Sequence, residues 1–404
     1  MYDANCQRNN KSLKVGNMNN PLSKSKVLIA NTAIRMKMIL FSFGKPLEKK
    51  IVFDSFNGKQ YSDNPRAISE YIHDHYPDYQ IVWKLYKQQE FNIVPDYVRI
   101  VRDESSFLKE LSTAFCYIRN VEIKTPFYKR KNQLFIQTWH GDRRFKEILK
   151  EKPGAHNLRI YDNDLIDIAL SSGKFGDESY DSAFDYHGRI QSIGLPRSEL
   201  MLSYSSVDIE RIKQKVGIHG SEKVLLFAPT FRDNESTEQD VTVDIEQVLQ
   251  ELDNKTGFQW MCLMRAHPSS PGLKNLESTH AIIDVSKYPD MTDILAVSDM
   301  LITDYSSSVC DFALTTKPTV MAAYDIEEYI KKYRGFKVRP DEVGFFVAKT
   351  QDELIRIINE KTEDDYIEAY KKVNEFFGTN ETGKATETIC SVIDSWFKNK
   401  IENK

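Results

Sequence analysis

Along the chain, short apolar runs alternate with stretches whose apolar residues recur every three or four positions. The runs at 51–56, 80–86, 97–101, 134–139, 167–172 and 189–194 predict strands. Between them, 65–76 and 104–115 have helical spacing, the first with Pro65 in its opening turn. The alternation restarts after Pro196, with strands predicted at 224–230, 259–267, 281–286, 300–306 and 318–325. Helices are predicted there at 243–252, 291–298 and 307–316, and two more at roughly 362–376 and 381–397. Strand alternating with helix implies βαβ units and a mostly parallel sheet, so the predicted fold class is α/β. Strands that are apolar at nearly every position imply sheets covered on both faces.

A chain of 404 residues suits two domains. The punctuation Gly194-Leu195-Pro196-Arg197 is the expected linker between them. The expected organisation is a basic tail over 1–45, domains over 46–195 and 196–378, and a C-terminal helix over 379–404 packing across both. Hydrophobic residues at 41% and charged residues at 28% describe a globular protein. A net charge of -4 argues against a dedicated nucleic-acid binder. The five cysteines include no CxxC pair, which points away from zinc and from a disulfide framework and towards a reducing cytoplasm.

No apolar run is long enough to span a membrane, and Met38–Phe43 is too short for a secretory signal. The first fifty residues nevertheless hold ten Lys or Arg against Asp3 and Glu48. Interleaved Ile34, Met38, Leu40 and Phe41 suit contact with an anionic membrane surface. On a helical wheel the charges do not separate from the apolar residues, so a solvated tail before an ordinary basic helix fits equally well.

Ligands of open α/β sheets settle where strands end, which makes the residues after each strand informative. Three such positions carry candidate chemistry. His140, in Gln137-Thr138-Trp139-His140-Gly141, is placed as a general base, or as a histidine capping a loop. Arg265 and His267, in Met264-Arg265-Ala266-His267-Pro268, suit a phosphate: one supplies fixed charge, the other a hydrogen bond or proton. Thr303-Asp304-Tyr305-Ser306-Ser307-Ser308 leads from a strand into a helix, where backbone N–H groups and hydroxyls meet an anion, or where a serine merely caps the helix. The chain has no GxGxxG, P-loop or GxSxG pattern. Asp162-Asn163-Asp164 is similar to a metal-binding DxD, but its polar surroundings favour a turn. His73 and His75 lie two apart on a helix and face different ways.

Taken in order, several segments resemble the CDP-glycerol glycerophosphotransferase family of wall teichoic-acid enzymes. They are Phe53-Asp54-Ser55-Phe56-Asn57-Gly58-Lys59 with Tyr61-Ser62-Asp63-Asn64-Pro65, then Gln137–Gly141, Gly194–Arg197, Ala228-Pro229-Thr230-Phe231-Arg232-Asp233 and Thr303–Ser307. Asp311-Phe312-Ala313, Lys317-Pro318, Tyr324-Asp325 and Tyr333-Arg334-Gly335 continue the likeness, which spans roughly residues 50 to 395. The resemblance implies a GT-B fold, two Rossmann-like domains with parallel sheets facing a central cleft. It implies transfer of glycerol phosphate or ribitol phosphate from a CDP-linked donor to a lipid-linked teichoic-acid or capsular polymer, with loss of CMP. It implies His140 as base and His267 as its phosphate-side partner. Arg232, Arg265, Asp304, Ser306 and Ser307 then hold the donor, and Gly141, Asp142 and Arg143 lie on the acceptor side. The implied location is the inner face of the cell membrane, and no metal or other cofactor is demanded.

One departure concerns the segment after Gly141. Family members often carry Thr-Pro-Leu-Lys-like residues there, whereas this chain has Asp142-Arg143-Arg144-Phe145-Lys146. Choice of polyol, and of priming or polymerising, stays open. A GT-B glycosyltransferase using a nucleotide sugar and a non-catalytic member of a polymer-assembly complex are the alternatives. With no long domain ahead of the matching segments, the chain reads as close to a minimal catalytic unit.

Overall fold

The computed structural model describes residues 21–86, 92–123, 127–156, 158, 160–230, 243–265, 280–332 and 335–402. In the first half, seven strands form one sheet: β1 (Glu48–Asp54), β2 (Gln80–Lys84), β3 (Arg99–Val101), β4 (Ala114–Arg119), β5 (Leu134–Gln137), β6 (Ile168–Ser171) and β7 (Ile190–Ser192). Their order is β3-β2-β1-β4-β5-β6-β7, with every pairing parallel. The second sheet contains β8 (Lys223–Ala228), β9 (Trp260–Met264), β10 (Ile282–Asp284), β11 (Met300–Thr303), β12 (Thr319–Ala322) and β13 (Val347–Ala348). It is also parallel, in the order β10-β9-β8-β11-β12-β13. Each order reverses once, between β1 and β4 and between β8 and β11. Connections leaving the two strands at such a point part to opposite faces and open a crevice at the carboxyl ends.

The helices of the first half are α1 (Pro21–Ser42), α2 (Asp63–His75), α3 (Glu104–Thr113) and α4 (Lys174–Ser182). Next come α5 (Pro196–Ser203), α6 (Ser206–Val216), α7 (Ile245–Thr256), α8 (Met291–Val297) and α9 (Ser308–Ala313). The series ends with α10 (Ile326–Lys332), α11 (Pro340–Val343), α12 (Gln351–Glu360), α13 (Glu363–Phe377) and α14 (Ala385–Phe397).

Three expectations change. Residues 104–115 divide: Asp103 starts α3 by accepting from Ser106 N at 2.9 Å, the helix stops at Thr113, and β4 follows at once. Every residue of β4 is buried, so its apolar run merges with the inner face of α3 and hides the boundary. The Gly194–Arg197 segment is no free linker, because Pro196 opens α5, which packs against both α2 and α8. Finally, α1 occupies much of the supposed tail and packs on α3. Ile34, Met38 and Phe41, weighed for contact with a membrane surface, face the core, with Met38 fully buried. Ile29, Met36, Leu40 and Phe43 form a second apolar stripe on the opposite side, and all four are exposed. Apolar residues on both sides of one helix are why its charges fail to separate on a wheel.

Two of the contacts that join the halves bear on the site. Phe145 and Phe175 from the first meet Phe345 and Phe377 from the second, with ring centroids 5.0–6.4 Å apart. Beside this wedge, Gly173 (φ +151°) lies so close to the end of α13 that a Cβ on it would sit 2.0 Å from the Gly378 carbonyl oxygen. The second contact is a buried ionic seam. Arg66 on α2 donates through Nη1 to Asp290 Oδ2 at 2.9 Å and Asp293 Oδ1 at 2.8 Å, the latter on α8. Burial pushes the Asp290 carboxyl above the ordinary carboxylate range, against the pull of Arg66. Removing one partner of a buried pair leaves the other desolvated and alone. Arg66→Met should therefore cost about 3–5 kcal/mol in urea unfolding; a loss below about 1 kcal/mol, as for exposed pairs, would show that water reaches the seam.

Candidate active site

Strands β1, β4 and β5 end side by side where the first sheet reverses its order. After β5 the backbone turns sharply, with φ +50° at Trp139 and +141° at Gly141. A left-handed φ at tryptophan costs about 1–3 kcal/mol and persists only where the surroundings enforce it. Here Trp139 N donates to Gln137 Oε1 at 3.0 Å, and Trp139 O accepts from Asn64 Nδ2 at 3.1 Å. The indole packs edge-on against Phe184, with centroids 4.7 Å apart.

This turn carries His140 back across the end of β4, placing Nδ1 2.7 Å from the carbonyl oxygen of Asn120. A carbonyl only accepts, so Nδ1 donates and carries the proton, and Nε2 of the neutral ring has the free lone pair. Asn120 is itself fixed, donating from Nδ2 to Ser55 Oγ at 3.1 Å and accepting from Phe56 N at 2.9 Å. The Phe56 ring lies against the imidazole, 5.3 Å between centroids. Burial lowers the His140 pKa below its ordinary value, and the Asn120 carbonyl bond only partly offsets this. The ring is thus neutral at pH 7, as a proton acceptor requires.

Gly141 faces the second half. A Cβ there would stand 3.1 Å from Ser307 Oγ and 3.3 Å from Arg197 Nη2, so the turn after β5 and the turn after β11 meet at this glycine. Arg197 joins them. Its Nη1 donates to Asp63 Oδ2 at 3.0 Å, its Nη2 pairs with Asp311 Oδ2 at 2.8 Å, and its backbone N donates to Asn64 Oδ1 at 3.1 Å. Burial alone would weaken its hold on the proton, but Asp311 and Asp63 outweigh that and keep the guanidinium firmly charged. Asp142 accepts from Ser172 N and Oγ, each at 2.6 Å, and Arg143 Nη2 lies 3.1 Å from both Asp311 and Glu381. Both side chains are buried, so in this structure they brace the loop after His140.

In the second half, Asp304 accepts from Thr230 N at 2.9 Å and Thr230 Oγ1 at 3.0 Å, tying the ends of β8 and β11 together. Ser306 Oγ and Ser308 Oγ are 2.9 Å apart at the start of the short α9, where Ser307 occupies the capping position without a side-chain bond. Arg265 Nη1 donates to the carbonyls of Val285 at 3.0 Å and Tyr288 at 2.7 Å. Tyr288 Oη in turn donates to Asp293 at 2.7 Å, which links Arg265 to the ionic seam. Arg232 and His267 lie outside the described residues. The structure thus brings His140, Gly141, Arg197 and Ser307 together, and puts Arg265 and Asp304 in supporting loops. Asp162, weighed as a metal ligand, is buried and accepts from Ile123 N and Gln137 Nε2, each at 2.5 Å, steadying the end of β5.

Residues 35–395 match the family described as CDP-glycerol:poly(glycerophosphate) glycerophosphotransferase. The chain belongs to this family. It is 30% identical over 370 residues to a teichoic acid glycerol-phosphate transferase of Staphylococcus aureus, covering 86% of this chain and 93% of that protein. It is also 30% identical over 369 residues to a teichoic acid poly(glycerol phosphate) polymerase of Staphylococcus epidermidis, but spans only 50% of that longer protein. Among solved structures, a histidine variant of the wall teichoic acid polymerase TagF is similar, with a TM-score of 0.77 and 26% identity over 94% of this chain and 99% of that one. The two parallel-sheet α/β units are consistent with a GT-B-like fold.

Within this glycerophosphotransferase fold, Asn120, Arg197 and Asp311 hold the candidate site together, though none stands out alone in the sequence. Arg197 and Asp311 stand in family-like segments, and that is their signal. Asn120 acts through its carbonyl, which no side-chain pattern reveals. The crowding at Gly141 generates a prediction. Gly141→Ala forces a methyl group against Ser307 and Arg197 at a left-handed φ, so it should destabilise the protein by about 1–3 kcal/mol. Calorimetric melting measures this, and an unchanged Tm would mean that the two turns part readily.

Proposed function

We propose that this chain transfers glycerol phosphate or ribitol phosphate from a CDP-activated donor to a hydroxyl of a lipid-linked teichoic-acid or capsular polymer, releasing CMP. The observation that carries this reading is the locked tautomer of His140, with its free Nε2 on the turn that abuts Ser307. Family membership supports the substrate class, and in the proposed arrangement donor and acceptor lie on opposite walls of one cleft.

In the proposed reaction, an acceptor hydroxyl oxygen attacks the phosphorus that bears the polyol. The bond from that phosphorus to the CMP oxygen breaks, and CMP leaves with the electron pair. The hydroxyl proton passes to His140 Nε2. Ser306, Ser307 and His267, with Arg232, offset charge on the donor phosphates, Arg265 braces the loop beside them through the Val285 and Tyr288 carbonyls, and most of the rate gain comes from positioning and electrostatics. Gly141 lets the His140 turn approach Ser307 and Arg197 closely, while Asp142 and Arg143 act on the acceptor side by holding the loop. Donor choice is tested directly: purified enzyme with a lipid-linked acceptor should release CMP from CDP-glycerol or CDP-ribitol. UDP release from UDP-sugars alone would replace this reading with a glycosyltransferase.

His140→Ala should lower kcat by about 10²- to 10⁴-fold with donor affinity nearly unchanged. His140→Gln should be almost as inactive, since it accepts no proton. Because the folded pKa is depressed, the base form persists into mild acid, and kcat/KM should fall only below the ordinary histidine value of about 6.5. Rescue by Gln together with a lowered Tm for Ala would make His140 a loop cap.

For location, no helix among the described residues is long and apolar enough to cross a membrane. The outward stripe of α1 supports a peripheral site on the inner membrane face, with Ile29, Met36, Leu40 and Phe43 in the acyl boundary and Lys37 at the headgroups. Leu40→Ser with Phe43→Ser should reduce sedimentation with anionic vesicles and leave turnover of a soluble acceptor intact. Undiminished sedimentation would place the contact elsewhere.

A further inference from the structure

The opposite end of β5 from His140 holds a feature that the transfer reaction does not use. The run Lys129-Arg130-Lys131-Asn132 leads into that strand beside α1 and the residues after α14. It borders a cavity of about 630 Å³, whose walls include Arg35, Tyr128, Lys131, Trp396 and Lys400, a size usual for small-ligand sites. Five cations line it against the carboxylates of Asp164 and Asp167. Two of the five have structural work: Lys129 pairs with Asp167 at 2.6 Å, and Arg130 donates to the carbonyls of Lys45 at 2.7 Å and Ser112 at 3.1 Å. The other three, Arg35, Lys131 and Lys400, come from separate segments and are exposed. None of the three forms an ion pair among the described residues.

Three like charges brought into one concavity repel each other, and an anion between them removes that repulsion. The walls are shaped as well as charged. Trp396 is held in place by its Nε1 donating to Asn132 O at 2.9 Å, and Tyr128 is 38% exposed beside it. Their rings offer a surface for a carbon skeleton, while the cations come from three separate segments of the chain, so that one anion can be met by more than one of them.

We infer that this cavity is a second anion site, separate from the cleft, which binds a phosphate ester with its carbon skeleton against Trp396 and Tyr128. Occupation of this cavity does not depend on the transfer reaction. Such a phosphate has two sources, a soluble phosphate ester or the headgroup of an anionic lipid, since α1 contributes Arg35 to the cavity and bears the apolar stripe.

The test uses the full chain carrying Leu40→Ser and Phe43→Ser, so that the stripe does not dominate. One arm titrates sn-glycerol 3-phosphate by calorimetry. The other measures sedimentation with phosphatidylglycerol vesicles against phosphatidylcholine vesicles. Binding is expected in at least one arm, and Lys131→Ala with Lys400→Ala should weaken it by about tenfold. Ser306→Ala with Ser307→Ala, which alters the cleft, should leave that binding unchanged. Binding of the soluble ester identifies a free phosphate ester, and binding of vesicles alone identifies a headgroup. Absence of binding in both arms overturns the inference. So does a loss that follows the serine substitutions rather than the lysines.

Discussion

Charges taken out of water must stay paired, and this requirement sets the two sheets against each other. Arg66, Arg143 and Arg197 are buried between the halves, each held by carboxylates: Asp290 and Asp293, Asp311 and Glu381, Asp63 and Asp311. The aromatic wedge of Phe145, Phe175, Phe345 and Phe377 supplies area but little direction. The ion pairs supply direction, because a shift between the halves of an ångström or two would leave a charge desolvated and unpaired. Arg197 reaches both Asp63 in the first half and Asp311 on α9, so the contact that locks the halves also fixes the His140 turn beside Ser307.

The same end of the first sheet stores backbone strain. Phe56, Asn57, Asp63 and Trp139 all have positive φ, and all follow β1 or β5 near the point where the sheet reverses. Each is held by neighbours: Phe56 N by Asn120, Asn57 by Arg119, Asp63 by Arg197 and Asp290, Trp139 by Asn64 and Gln137. Strain of this kind is paid where geometry matters more than stability. Its product here is one imidazole orientation, with the tautomer chosen by a carbonyl.

The strands of both halves are legible in the sequence, because parallel sheets covered on both faces need runs that are apolar at nearly every position. The exceptions are β4 and β13: β4 abuts α3 without a turn residue between them, and an apolar strand joined to an amphipathic helix has no visible seam, while β13 is only two residues long. Pro196 reads as punctuation, although the same fixed φ that interrupts a chain also starts a helix well. His140 is legible because Trp-His-Gly follows a strand. Arg143 is misleading for the same reason: a charge beside a candidate base looks available, and only its partners, Asp311 and Glu381, distant in the chain, bury it. The two-sided apolar character of α1 blurs its pattern in the same way, since one stripe cancels the other on a wheel.

The packing of α14 has a consequence for how the protein is made. This helix, synthesised only after the whole second half, returns to the first sheet, where Phe397 packs against Tyr79 and Phe115 and Asp394 accepts from Tyr79 Oη at 2.9 Å. Until it leaves the ribosome, the first half carries an uncovered apolar face while the entire second half is translated. Domains generally fold in order of synthesis, and a sheet waiting for its cover is open to aggregation. The first half expressed without α14 would keep the exposed face permanently.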